Sequence, residues 1–215
     1  MRTITVEAWS DVVCPWCYIG KRRLELALAD FEERDAVTVV WRSFELDPRG
    51  PRHSELTIPQ CMQRDLGLSP QGALEGLAAV TRLAAELGLE YRLEQARPVN
   101  TFDVHRILHL AEEQGLGEPA RERVLRGYTA EGAYLGDQET LVRLAVEAGL
   151  AEDRVRELLA GDAYGEAVRA DEQRGRAFGV RGVPSFLVDE RFSLSGAQPV
   201  SAISEVLAHA VRSTA

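Results

Sequence analysis

Two thiols three residues apart, in the run Cys14-Pro15-Trp16-Cys17, are the side chains of this 215-residue chain best suited to do chemistry. Side chains at this spacing at the start of a helix lie on one side of it, close enough to close a disulfide with little backbone movement. The first thiol then faces unpaired backbone N–H groups and the positive end of the helix dipole. Both favour thiolate over thiol, so the Cys14 pKa is expected below that of free cysteine. Cys17, one turn further in, is expected to be more buried and to stay protonated until a mixed disulfide on Cys14 has to be resolved. Pro15 fits the first helical turn because its missing N–H has no helical partner there. The chemistry this pattern supports is thiol–disulfide exchange, with Cys14 attacking and Cys17 resolving.

The same spacing is half of a zinc site, so context has to decide. No second Cys-x-x-Cys is present, and the third thiol, Cys61, stands alone in Ile58-Pro59-Gln60-Cys61-Met62, where it reads as a helical core cysteine. His105 and His109 are spaced i,i+4, but Arg106-Ile107-Leu108 between them lacks the glutamate of a metalloprotease helix, so no metal is expected. Three cysteines also fall short of a structural disulfide framework. The net charge of −9, with arginines scattered among acids, argues against nucleic acid as a partner. The opening residues Met1 to Trp9 alternate like a strand and lack the apolar run of roughly 7 to 15 residues of a signal peptide. No stretch reaches the roughly 18 apolar residues of a membrane span. A cytoplasmic protein without a membrane partner is therefore expected.

The elements that must position the thiols are legible around them. Thr3 to Trp9 reads as a strand, and Tyr18 to Phe31 as a helix, so the cysteines sit where strand gives way to helix. Val37 to Phe44, rich in β-branched and aromatic residues, is a second strand, closed by the breakers Asp47-Pro48-Arg49-Gly50-Pro51. From about Leu56 to Phe178 the pattern is helical. Ser69-Pro70, Asn100-Thr101, Pro119 and Asp137 read as starts, and Gly88, Gly115, Gly149 and Gly179 as stops. Ser185 to Val188 and Phe192 to Ser195 then flank the polar turn Asp189-Glu190-Arg191 as a hairpin, and a helix from about Val200 to Val211 ends the chain. With 45% hydrophobic residues the chain can build a sizeable core. The order predicts an α/β protein of thioredoxin-like fold, residues 1–47 and 166–215, interrupted by an all-helical insertion, residues 48–165.

Gly182-Val183-Pro184-Ser185-Phe186 places a proline at the opening of a strand, and by itself reads as an ordinary strand-initiating proline. Taken with Ser10 to Lys21, Trp41 to Pro48, Asn100-Thr101-Phe102-Asp103 and Ser195-Gly196-Ala197-Gln198, however, the chain resembles the FrnE-like branch of the DsbA family along nearly its whole length. The resemblance implies a thioredoxin-like domain carrying an inserted helical domain, dithiol–disulfide exchange, and a cis Val183–Pro184 bond beside the cysteines. In such proteins the backbone before that proline pairs with an extended substrate segment, which makes Cys14, Cys17 and Pro184 the catalytic set and Pro15, Trp16 and Val183 the substrate contacts. Trp16 stands where the periplasmic members have histidine. It supplies no positive charge, so a less depressed Cys14 pKa and a weaker oxidant are expected. A cytoplasmic reductase or isomerase of protein or small-molecule disulfides follows, with no bound cofactor and with glutathione as a candidate redox partner.

Kappa-type glutathione transferases and 2-hydroxychromene-2-carboxylate isomerases share this architecture, and resemble the chain around Asn100-Thr101 and the Val183-Pro184 loop. They usually carry serine where Cys14 stands. The alternative reading is accordingly a glutathione-dependent isomerase or transferase, or a polyketide-tailoring enzyme acting on a small aromatic molecule. A third reading, a binding module without turnover, needs neither thiol. Asn100, Thr101 and His105 are candidate substrate contacts, although a helix start and a satisfied helical histidine account for them equally. Asp11 could relay a proton to Cys17, or simply be a cap or a solvated charge. Trp9, Trp41 and Phe44 read as core.

Overall fold

The computed structural model of the chain describes residues 3–213. Two compact units emerge, one formed by the residues up to Leu46 together with those from Ala170 onward, the other by Asp47–Arg169.

The first unit is built on strand β1, Ile4–Ser10, which helix α1, Pro15–Ala29, connects to strand β2, Val37–Ser43. The two strands run parallel, pairing Ile4 with Val37 through Ser10 with Ser43, an arrangement that requires a crossover such as α1. Strands β3, Ser185–Val188, and β4, Phe192–Ser195, add antiparallel to the other side of β1, giving the order β2-β1-β3-β4. Their hairpin turns tightly because Asp189 and Glu190 both adopt positive φ, 51° and 57°, the handedness that suits a twisted hairpin. Asp189 is locked there by its N–H to the Thr5 carbonyl at 2.8 Å and by the Thr5 N–H to its Oδ1 at 3.0 Å.

Alternation along β1 decides what each face of the sheet meets. Ile4, Val6 and Ala8 join Leu24 and Ala27 of α1, Phe186 and Val188 of β3, and Ile203, Leu207 and Ala210 of the closing helix α9, Val200–Arg212. Burying each of the larger side chains contributes about 2 kcal/mol. The opposite face carries Glu7 and Trp9. The Trp9 indole N–H donates to the Asp171 carbonyl at 2.9 Å, and Glu7 accepts from Arg174 Nε at 2.6 Å and Arg42 Nε at 2.8 Å. Asp171 and Arg174 belong to the last helical stretch before β3, within Gly165–Ala177.

The second unit contains α2, Ile58–Leu66; α3, Pro70–Ala85; α4, Phe102–Glu113; α5, Gly117–Ala130; α6, Gln138–Glu147; α7, Glu152–Ala160; and the beginning of α8, Gly165–Ala177. Local chemistry sets several starts: Ser69 Oγ accepts the Gly72 N–H at 3.0 Å and Asp137 Oδ2 the Thr140 N–H at 3.0 Å. Pro119 does not open α5. It lies in the first turn, where a missing N–H costs nothing, and the helix starts two residues earlier. The stretch between α3 and α4 is irregular apart from a short 3-10 turn at Leu93–Gln95, and its amides are satisfied elsewhere: Arg92 N–H bonds the Thr129 carbonyl at 2.7 Å and Asn100 N–H the Pro51 carbonyl at 2.9 Å. Cys61 is half-buried on α2, not a core residue, because that short helix buries Pro59 and leaves the cysteine's face partly open. No described helix is long and apolar enough to cross a membrane.

Candidate redox-active site

Strand β1 ends at Ser10, and a three-residue turn delivers Cys14 to the N-cap of α1 with extended backbone, φ −86° and ψ 112°. Pro15 follows at the first helical position, where its fixed φ prepares the turn and its lack of N–H is harmless. The Cys14 N–H donates to the Asp11 carbonyl at 3.2 Å, and the Cys17 N–H to the Cys14 carbonyl at 3.0 Å. Both cysteines are free thiols. Cys14 is 5% and Cys17 1% exposed, while Trp16 between them is 42% exposed.

The two sulfurs are electrostatically unlike. A hydrogen bond from the Cys17 thiol is the chief influence holding the Cys14 pKa below that of an ordinary cysteine; burial opposes it, and the Trp16 and Cys17 amides assist. The neighbouring thiol thus does more than the helix end, which spacing alone singled out. Cys17 is pushed well up by burial first and then by its bond to Cys14, with the Asp11 N–H, 3.4 Å from its sulfur, pulling the other way.

Across from the pair lies the loop before β3. The Val183–Pro184 peptide bond is cis, and the Cys14 thiol donates to the Val183 carbonyl at 3.5 Å. The loop is tied down on both sides: Ser185 Oγ donates to the Gly182 carbonyl at 2.7 Å, and the Gly196 N–H to the Pro184 carbonyl at 2.8 Å. Gly20 of α1 lets this loop approach, since a Cβ there would stand 2.8 Å from Pro184 Cγ. Cys14, Cys17, Val183 and Pro184 are therefore brought together, with Pro15 and Trp16 on the helix turn that carries the thiols.

Asn100, Thr101 and His105 belong to the helical unit, at the start of α4. The Asn100 side chain is engaged with its own unit: Oδ1 accepts the Phe102 N–H at 3.1 Å and Nδ2 reaches the Pro48 carbonyl at 3.4 Å. Asn100 also lines a cavity of about 430 Å³ with Arg52, His53 and Asp103. Thr101 and His105 are buried, 2% and 3% exposed. Gly20 escapes the sequence reading, whereas Asp11 is there a relay, a cap or a solvated charge. Asp11 is neither a solvated charge nor the helix cap; it is 1% exposed and its Oδ2 accepts the Leu46 N–H at 2.8 Å. Gly20 carried a signal, an isolated glycine inside a helical pattern, which marks close packing.

Residues 5–208 match the model of the DSBA-like thioredoxin domain. The chain belongs to that family. A probable DsbA oxidoreductase from Streptomyces coelicolor is 42% identical, with a TM-score of 0.94 over 96% of this chain and 89% of that one. A 2-hydroxychromene-2-carboxylate isomerase is 16% identical, with a TM-score of 0.70 over 98% of this chain and 97% of that one. The cytosolic disulfide reductase DsbM from Pseudomonas aeruginosa, solved with GSH, is 17% identical, with a TM-score of 0.64 over 97% of this chain and 99% of that one. At those lower identities the likeness is one of fold: the α/β thioredoxin-like fold with a helical insertion that this DsbA-like chain shares with them.

Proposed function

We propose that this DsbA-like chain is a cytoplasmic thiol–disulfide oxidoreductase of reductase or isomerase type, acting on protein or small-molecule disulfides and recycled by a thiol such as glutathione. The observation that carries this reading is the asymmetry of the pair: Cys14 ionises below and Cys17 well above the ordinary cysteine range, with the Val183 carbonyl 3.5 Å from the Cys14 sulfur.

Ionisation of Cys14 removes the S–H that bonds Val183 and frees that carbonyl for an extended substrate segment. The thiolate attacks one sulfur of a substrate disulfide, the substrate S–S bond breaks, and the departing substrate thiolate takes up a proton. A mixed disulfide with Cys14 remains. With negative charge gone from Cys14, Cys17 loses one of the influences that keep it protonated, and its thiolate attacks the Cys14 sulfur. The Cys14–Cys17 disulfide forms, the second substrate thiol leaves with a proton, and two electrons have passed to the substrate. Two glutathione thiols then restore the dithiol as glutathione disulfide forms. In the isomerase mode the substrate's own second thiol attacks the mixed disulfide instead, and no net electrons move.

Insulin reduction with glutathione as the reductant, followed by turbidity, tests this. Cys14→Ser should abolish activity, and Cys17→Ser should accumulate mixed disulfides. A glutathione-dependent isomerase would use one nucleophile and ignore the loss of Cys17; full insulin activity in Cys14→Ser would refute the exchange mechanism.

A further inference from the structure

The loop that faces the thiols also carries a cation with nothing to hold inside the protein. Arg181 stands two residues before Val183, whose carbonyl lies 3.5 Å from the Cys14 sulfur, so at most about 7 Å of chain separates Arg181 from that contact residue. The backbone here is fixed from both sides: the Val180 N–H donates to the Gly175 carbonyl at 2.9 Å, and the Gly182 carbonyl accepts from Ser185 Oγ at 2.7 Å. The Arg181 side chain is exposed and has no hydrogen bond, ion pair or aromatic contact with any described residue. The arginines that lead into this loop on α8 are spent internally, Arg174 on Glu7 and Glu190 and Arg176 on Glu172 at 3.9 Å. Next to Arg181 the surface is open. A Cβ added to Gly182 would meet nothing within 4 Å, and the Val183 N–H has no partner among the described residues.

Charge decides what this cation can select. The chain carries a net charge of −9, which disfavours the approach of an anionic substrate at long range. A guanidinium beside the segment that pairs with substrate offsets this locally, and its planar fork bonds a carboxylate through parallel N–H groups. Because Arg181 is in no internal pair, holding a carboxylate there breaks nothing within the protein. We propose that Arg181 is a specificity-determining residue that holds a carboxylate next to the attacked sulfur, so that the dithiol favours anionic disulfides. Two sources supply that chemistry: the glycine carboxylate beside the cysteine of glutathione disulfide, and an acidic side chain beside the cysteine of a peptide disulfide. The proposal rests on the exchange reading above and names its substrate class. Arg181 forms no covalent bond and moves no proton. Dithiol and disulfide still go to the Cys14–Cys17 disulfide and two released thiols, two electrons passing from the protein sulfurs to the substrate.

The test mixes the reduced full-length protein with glutathione disulfide, with a short peptide disulfide bearing a glutamate beside its cysteine, or with the same peptide bearing glutamine, and follows oxidation of the protein by thiol tagging. The quantity read is the second-order rate constant on each anionic disulfide divided by that on the glutamine peptide, for the native chain, Arg181→Gln and Arg181→Glu. For at least one anionic disulfide this ratio should fall about fivefold in Arg181→Gln, the loss expected of an exposed charge pair, and further in Arg181→Glu. The native ratio should itself shrink in about 1 M salt, where the Debye length is about 3 Å. A fall confined to glutathione disulfide assigns the site to glutathione, a fall confined to the glutamate peptide assigns it to acidic protein segments, and a fall in both assigns it to the carboxylate alone. Native ratios in both variants, or all rate constants lowered in parallel as a merely structural role would give, would overturn the proposal. A native chain that exchanges with none of these disulfides counts against the proposed function itself, and Arg181 then has no reaction to direct.

Discussion

Gly20→Ala adds a single methyl group where α1 meets the proline loop, and its consequences can be worked from the contacts. The new Cβ would stand 2.8 Å from Pro184 Cγ, 3.1 Å from Pro184 Cβ and 3.4 Å from Phe186 Cζ, against the roughly 3.5–4.0 Å at which carbon atoms rest. A proline ring has no free end to swing away, so the loop has to shift as a body. Overpacking of this kind costs about 1–3 kcal/mol, while replacing a helical glycine by alanine returns about 1 kcal/mol. The net loss of stability should therefore lie between about 0 and 2 kcal/mol. The effect on exchange should be larger, because the displaced segment carries the Val183 carbonyl that faces the Cys14 sulfur at 3.5 Å. Losing about 1.4 kcal/mol of transition-state stabilisation would slow turnover about tenfold. Urea unfolding at unchanged m-value and insulin reduction by the same preparation read the two effects separately. A variant that gains about 1 kcal/mol, as helix propensity alone dictates, and keeps native turnover would refute the claim that Gly20 exists to admit Pro184.

Other outcomes follow from the same contacts. Alkylation of the reduced protein at mildly acidic pH should label Cys14 first, since burial pushes both Cys61 and, far more, Cys17 upward while the Cys17 thiol lowers Cys14; early labelling of Cys17 would reverse the assigned roles. Burial alone would raise the Glu7 carboxyl, but its bonds from Arg174 and Arg42 outweigh this and hold it below the ordinary 4.5. Its stabilisation is therefore complete above that pH and lost as pH falls through the lower folded value. Glu7→Gln should cost about 2 kcal/mol at neutral pH, less than a fully buried pair because the two arginines are 29% and 33% exposed, and chemical denaturation should show the gap closing in acid. Gly175→Ala would bring a Cβ to 2.8 Å from Trp9 Nε1 and should break the indole bond to Asp171, costing about 2 kcal/mol and altering tryptophan fluorescence.

The parts of the fold that sequence reveals are those governed by local rules. The alternation of Ile4, Val6 and Ala8 marks β1 because side chains in a strand point to opposite faces, and Ser69 and Asp137 mark helix starts because their oxygens can accept a free amide. The strand-to-helix position of Cys14 is legible for the same reason. What stays hidden depends on partners distant in sequence. Leu46 is 35 residues from Asp11 and Val183 is 169 from Cys14, so neither the burial of the acid nor the carbonyl facing the thiol could be read from spacing. Cys61 shows the converse limit: its type favours burial, but the face it occupies on α2 is decided by which residues of that helix pack.

The site also shows how little sequence is needed to make two identical side chains behave differently. Cys14 and Cys17 share one helical turn, yet the first occupies the N-cap, where backbone amides have no helical partner, and the second the third helical position, where burial is nearly complete. The hydrogen bond between them then separates them further, because it stabilises charge on the acceptor Cys14 and withdraws a proton from availability on the donor Cys17. In the proposed mixed disulfide that coupling would be gone, leaving Cys17 with burial opposed by the Asp11 amide and the Ser10 side chain. The proposed order of events, attack by Cys14 followed by release through Cys17, follows the direction of these two opposite shifts.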